Sequence, residues 1–251
     1  MRGGVMACEE LEAQWRALAP AWISESRHGR NPTRAGLLDA PMLEICGDVT
    51  GLRVLDSGCG EGRFSRMLAE RGAAAVLGLD LCDRMIEAAI QRAGERQEYR
   101  LADVQDLGFL ASRAFDLVVS YLNHCELPDF AANVREAYRV LKPGGRFAVA
   151  NLHPLRSATG AWNRLGHGDK HPEVDRYFDE SERHGTRMEV EVTNFHRSLQ
   201  TNLDVFLGAG FRLTRLIEPT MSAEALVDWP ELRDVVKGPS FIVYALDKPV
   251  A

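Results

Sequence analysis

VLDSGCGEG, residues 54 to 62, reads as a short apolar strand that runs straight into a turn carrying three glycines. Val54-Leu55 lead in, Asp56 follows, and Gly58, Gly60 and Gly62 stand at alternate positions. Glycine has no Cβ, so it takes left-handed conformations cheaply and lets a ligand approach the main chain. Phe64, Met67 and Leu68 then fall at helical spacing, so the turn opens a helix. A strand, a glycine turn and a helix N-terminus together form a nucleotide cradle. A plain strand-to-helix turn needs one glycine, not three.

A second strand agrees. Ala75-Val76-Leu77-Gly78-Leu79-Asp80 ends in a carboxylate about 20 residues beyond the glycines, the spacing that suits ribose hydroxyls. A dinucleotide fingerprint counted from Gly58 requires glycine at position 63, and this chain has Arg63. Asp56, beside the turn, would repel a phosphate and suits an ammonium group. An adenosine carrying an amino acid in place of phosphates satisfies both facts. S-adenosylmethionine is that ligand, and S-adenosylhomocysteine its product.

Residues 53 to 152 resemble a class I S-adenosylmethionine-dependent methyltransferase of the small-molecule, type 11-like branch. VLDSGCGEG resembles the first motif of that family and LGLDLCDRMIEAA its second. RLADVQDL resembles the adenine-contacting segment, FDLVVSYLNHCEL the fourth-strand motif, and LKPGGRFAVANLHP the turn and fifth strand. Ser57 departs from the family, which usually has an apolar residue there. The resemblance implies an α/β, Rossmann-like fold. Its seven-stranded sheet is mostly parallel, with the last strand antiparallel between the fifth and sixth, helices on both faces and an inserted cover.

The same resemblance implies the cofactor contacts. Asp56 would accept from the methionine ammonium, and the peptide groups of Gly58 and Gly60 would pack against the methionine portion. Asp80 would take both ribose hydroxyls. Asp103 would accept from the adenine amino group while Val104 offers an amide to a ring nitrogen. Leu81 and Ser120, within the matching motifs, complete the set, and Arg34 in NPTR is the cation for the methionine carboxylate.

The chain reads as one methyltransferase domain over 1–251. Residues 9–45 form a helical cover, with Asn31-Pro32 as a helix start. Strands and helices alternate through the cofactor-binding core, 53–153, with Asp129 to Val140 as a helix and Lys142-Pro143-Gly144-Gly145 as a stop and turn. Residues 154–197 break the rhythm as an acceptor-side cover, with Met188 to Val192 reading as strand. Residues 198–248 return to the sheet through a helix from Ser198 and strands at 211–217 and 241–246.

Methyl transfer is an in-line displacement that needs positioning and the removal of one proton. His196, His153 and His124 are the three candidate bases. His196 is the expected one, since it closes the insertion and an unperturbed histidine titrates near pH 6.5. Trp22, Tyr121, Tyr177 and Arg197 are candidate acceptor contacts, with Trp162 and Phe178 as further wall residues. Cys125 reads as core. His167, His171 and His184 have no metal-ligand spacing, so no metal is expected.

Composition sets limits. A net charge of −6 argues against a large nucleic-acid footprint, and no [DNS]-P-P-[YFW] motif follows the fourth strand. The five cysteines form no C-x-x-C pair, which points to reduced thiols and a cytoplasmic setting. No apolar run approaches a membrane span, and MRGGVMACEELEAQW has no secretion-signal pattern. A monomer or homodimer acting on an oxygen or nitrogen of a small molecule is the leading expectation. A tRNA or protein methyltransferase, and a non-catalytic cofactor-binding subunit, are its rivals.

Overall fold

The computed structural model describes residues 8–28, 31–164 and 170–250. Helix α1 (Cys8–His28) precedes a π-helical turn, Pro32–Leu38, which runs into α2 (Asp39–Cys46). Asn31 caps that turn: its side chain accepts from the Arg34 N–H at 3.0 Å, and Pro32 supplies the preset φ of a first helical residue. The alternating core follows as β1 (Arg53–Ser57), α3 (Arg63–Glu70), β2 (Ala75–Asp80), α4 (Asp83–Ile90), β3 (Gln97–Leu101), β4 (Phe115–Tyr121), α5 (Phe130–Val140) and β5 (Leu141–Leu152).

The next segment holds α6 (Pro154–Ser157) and two antiparallel hairpins. One joins β6 (Thr159–Arg164) to β7 (Lys170–Val174), the other β8 (Glu182–Arg187) to β9 (Val190–Phe195). The chain then returns through α7 (Leu199–Gly208), β10 (Arg212–Ile217), α8 (Ala225–Asp228) and β11 (Phe241–Asp247). The seven-stranded sheet has the order β10-β11-β5-β4-β1-β2-β3. Only β11 is reversed, pairing antiparallel with both β5 and β10, as the sequence led us to expect.

The period of two along each strand builds two apolar layers from one sheet. Val54, Leu117, Val119, Ala148 and Ala150 face Leu38, Met42, Ile45, Phe64 and Leu68 from α2, α3 and the turn before them. Their neighbours Leu55, Val118, Phe147 and Val149 face Val134, Ala137 and Phe206 from α5 and α7. Near-continuous apolar strands are what a sheet covered on both faces requires.

Two sequence expectations need correction. Met188 and Glu189 are turn, not strand. They take left-handed φ values of 49° and 68° and join β8 to β9, with Arg187 opposite Val190. Positive φ at both centres is the type I′ form of a two-residue hairpin turn. Lys142 to Gly145 belong to β5 rather than ending the preceding unit. The strand bulges there, since Leu141 pairs with Phe115 but Arg146 with Leu117.

Candidate active site

The carboxyl ends of β3, β2, β1 and β4 open side by side into one pocket, where ligands of open α/β sheets bind. Its floor is the turn after β1. Gly58 and Gly60 sit at φ 81° and 54°, a region that costs other residues energy. A Cβ on Gly58 would strike the Asn123 side chain at 2.4 Å, whereas a Cβ on Gly60 would meet nothing within 4 Å. Gly60 therefore presents bare backbone to open space.

Asp80, at the end of β2, lines the pocket and is held by backbone donors. Its Oδ2 accepts from Gly60 N–H at 2.8 Å and its Oδ1 from Cys82 N–H at 3.0 Å. Burial pushes its carboxyl up, and these amides oppose the rise. Leu81, Asp103 and Val104 line the same pocket. Asp103 Oδ1 accepts from Gln105 N–H at 2.9 Å, fixing the turn after β3. Asn133 ties this segment to β1, donating to Val104 O at 2.8 Å and to Ser57 Oγ at 2.9 Å. The Ser57 hydroxyl thus has a partner where an apolar side chain would offer none.

Asp56 lies beneath the turn rather than in the wall. Ser65 donates to its Oδ2 at 2.6 Å, while Oδ1 is buried with no partner among the described residues. Burial pushes this carboxyl up to about 6. Ser120 is fully buried in β4, its hydroxyl without a hydrogen-bond partner among the described residues, also outside the pocket wall.

Arg34, Trp22 and Tyr121 form the opposite side. The Arg34 guanidinium lies 4.8 Å from the Trp22 ring centre and 5.5 Å from that of Tyr121. Burial lowers its pKa, and no carboxylate of the described residues forms an ion pair with it. Tyr121 donates to Asp39 Oδ1 at 2.9 Å, and Arg63 grips the same carboxylate. Tyr121 is thereby fixed as wall.

The three histidines are not in the pocket. His124 is wholly buried among Phe130, Phe147 and Phe206, with Nε2 on Asn133 Oδ1 at 2.9 Å; burial pushes it down to about 4. His153 caps α6: Nδ1 accepts from Leu155 N–H at 3.1 Å, and Nε2 meets Glu218 at 3.0 Å. His196, the expected base, is buried with both nitrogens engaged. Nε2 donates to Tyr177 O at 2.8 Å, so Nδ1 accepts from Ser157 Oγ at 2.7 Å. That arrangement leaves no lone pair for an acceptor's proton.

Tyr177 and Arg197 are also occupied elsewhere. The Tyr177 hydroxyl accepts from Leu199 N–H at 3.0 Å. Arg197 donates to the carbonyls of His124, Leu127 and Pro128 and lies over Phe130, which pins the insertion to the segment after β4. Phe178 is 90% exposed and is no wall. Cys125 is buried, its thiol pushed up to about 12 by burial. His167 lies outside the described residues, as do the side chains of Trp162 and His171. No cluster of metal-ligating side chains occurs among the described residues.

Sequence reasoning missed Glu126 and Arg187. Glu126 lines the pocket just beyond β4, and Arg187, at the end of β8, reaches it at 3.4 Å while lying over Trp22. An acid just past the carboxyl end of the fourth strand, where ligands of open sheets bind, was the signal for Glu126. Arg187 had none, because its reach depends on the fold of the hairpin. The N-terminal helix and the inserted hairpin also meet: Gln14 of α1 is hydrogen-bonded to Thr193 of β9.

Residues 55–149 match the family described as methyltransferase domain. A candidate S-adenosylmethionine dependent methyltransferase from Listeria monocytogenes aligns with a TM-score of 0.75 at 31% identity, over 83% of this chain and 95% of that one. An S-adenosylmethionine dependent methyltransferase from Mesorhizobium loti gives 0.76 at 29% identity, over 85% and 98%. Among curated proteins, a ubiquinone biosynthesis O-methyltransferase of Neisseria meningitidis is 33% identical over 153 residues, 57% of this chain. The chain spans 62% of the length of that relative.

Proposed function

Because the chain belongs to the class I S-adenosylmethionine-dependent methyltransferases, we propose that it methylates an oxygen or nitrogen of a small-molecule acceptor. The observation that carries the reading is one pocket shared by the glycine turn, Asp80 and the 103–104 segment and walled by Leu11, Trp15 and Trp22 of α1, a helix that is itself bonded to β9. A concave pocket with Trp15, Trp22 and Tyr121 in its wall suits a small molecule better than a polymer. The O-methyltransferase name of the curated relatives favours oxygen.

Two features support the fit of the cofactor. Gly60 turns bare backbone toward open space, and Asp56 Oδ1 beneath it is a buried acceptor with no partner among the described residues. Asp80 would hold the ribose hydroxyls, since each of its oxygens keeps a lone pair after bonding Gly60 or Cys82. Asp103 and Val104 would take the adenine edge. Arg34 would meet the methionine carboxylate with a guanidinium that has no ion-pair partner among the described residues. When bound, the cofactor supplies a methyl carbon on a sulfonium for in-line displacement. The protein's share is to align the acceptor and to exclude water beneath α1 and the β8–β9 hairpin.

Titration of the chain with S-adenosylhomocysteine and with NAD tests the cofactor assignment. Tighter binding of NAD would overturn it. Incubation of the chain with methyl-labelled S-adenosylmethionine and a library of hydroxylated and amino metabolites tests the acceptor class. Label appearing only on protein or RNA would overturn the small-molecule reading.

A further inference from the structure

We infer that Glu126 selects by charge: it favours the cationic sulfonium donor over the neutral thioether product. The inference rests on the methyltransferase reading above. Glu126 ends the short turn His124–Glu126 after β4, and its N–H donates to Asn123 O at 2.9 Å. That turn is joined to the glycine turn. Asn123 Nδ2 donates to Ser57 O at 3.3 Å, and the Asn123 side chain fills the space a Gly58 Cβ would need.

Strand order gives the direction of the pocket. Groups suited to adenosine lie beyond β3 and β2, at Asp103, Val104 and Asp80. Groups suited to the amino acid lie beyond β1. Glu126, beyond β4, stands at the next strand end along that line. Its side chain is 14% exposed.

Three charged groups from different elements act on it. Arg187 approaches from β8 at 3.4 Å, and Arg34 from the π-helical turn adds a second positive charge. Asp80, beyond β2, repels it. Cys125, in the same turn, keeps its proton and adds no charge. Burial pushes the Glu126 carboxyl up to about 7. Arg187 and Arg34 oppose the rise, and the Asp80 charge adds to it. Near neutral pH the residue is therefore divided between charged and uncharged forms. A cation entering this pocket stabilises the carboxylate, whereas a neutral ligand does not.

Donor and product differ by one methyl group and one positive charge. Their ammonium and carboxylate are common to both. The titration of Asp56, and any contact to Arg34, therefore cancel in the ratio of the two affinities. What remains is the response to the sulfonium. A site that prefers the cation releases the neutral product in favour of fresh donor.

The test is isothermal titration of the full chain with S-adenosylmethionine and S-adenosylhomocysteine at about pH 6 and about pH 8, either side of the Glu126 midpoint. The donor-to-product affinity ratio should rise about fivefold across that range, for a midpoint moved by about one unit. Donor binding near neutrality should release protons, measured as heat in two buffers of different ionisation enthalpy, and product binding should not. Glu126→Gln should flatten the ratio with pH and lower it about tenfold at the alkaline end. A wild-type ratio that ignores pH overturns the inference without any variant. So does a Glu126→Gln protein that weakens both ligands equally, because that is the signature of a role confined to holding Arg187. Binding of neither ligand by the wild-type chain overturns the methyltransferase reading itself, and the inference with it.

Discussion

The backbone N–H of Thr193 donates to Gln14 Oε1 at 3.0 Å, and Gln14 Nε2 donates to Thr193 Oγ1 at 3.3 Å. Two segments 179 residues apart in sequence are thereby joined, one of them the helix whose Trp15 and Trp22 line the pocket. Gln14→Ala leaves the Thr193 N–H without its acceptor, a loss of about 1 kcal/mol, or roughly five- to tenfold in cofactor affinity if the covers close on the ligand. Amide exchange should quicken in both α1 and β9. Exchange that quickens in α1 alone would mean that the two covers open independently.

Asp80→Ala removes the acceptor for two expected ribose hydroxyls and for the Gly60 N–H. Affinity for S-adenosylhomocysteine should fall by about 2 kcal/mol, roughly thirtyfold. Titration measures it directly. An unchanged affinity would place the ribose elsewhere.

Gly58→Ala and Gly60→Ala should fail in different ways. The first forces a Cβ against Asn123 and should lower the unfolding midpoint sharply. The second adds a methyl to open space at φ 54°, so the protein should fold at a cost of about 1 kcal/mol yet lose cofactor binding. Retained binding by a folded Gly60→Ala protein would remove the turn from the cofactor contacts.

His196→Phe should cost stability rather than chemistry. It breaks the bonds to Ser157 Oγ and Tyr177 O at a buried site, a loss of about 2 kcal/mol. The pH–rate profile should keep its acidic limb. Loss of that limb in a variant of normal stability would restore His196 as the base.

His124 predicts how stability falls in acid. Its folded pKa is about 4, below the ordinary value of about 6.5 that it regains on unfolding. Between those values the unfolded chain binds a proton that the native chain does not. The contribution is therefore complete above about pH 6.5 and declines as pH falls toward 4, by about 3 kcal/mol. Denaturant midpoints across that range measure it. His124→Phe should flatten the slope, and a slope of wild-type size in that variant would assign the effect to other groups.

The sheet was legible in the sequence because its signals are local. The run of Val54-Leu55 into glycines, the acid at 80 and the strand near the C-terminus each declare a backbone state through residue type alone. Met188-Glu189 did not, since a left-handed pair without glycine or asparagine resembles the alternation of the strands around it. The histidines failed for another reason. Standing just after a strand gives a residue its place along the sheet edge but not the direction of its ring. His124 turned into an aromatic core, while His153 and His196 turned toward Glu218 and Ser157. Glu126 stands inside the fourth-strand motif, but its importance lies in burial and in an arginine from a distant hairpin, neither of which is a local signal.

The placement of β11 between β5 and β10 bears on the order of events during synthesis. Every strand of the cofactor pocket has been made by residue 121, and β5 by residue 152, but β11 spans Phe241–Asp247. Until it arrives, the outer edge of β5 has no neighbour, and that edge includes Ala148, Val149 and Ala150. β10 cannot shield it, because β10 pairs with β11 and not with β5. The nascent chain thus carries an open apolar strand edge for most of the time taken to translate the cover and α7, the state in which chains pair wrongly with one another. A half-made molecule of this topology exposes the kind of edge that invites mispairing, so its yield in cells should depend on how quickly the last stretch of message is read.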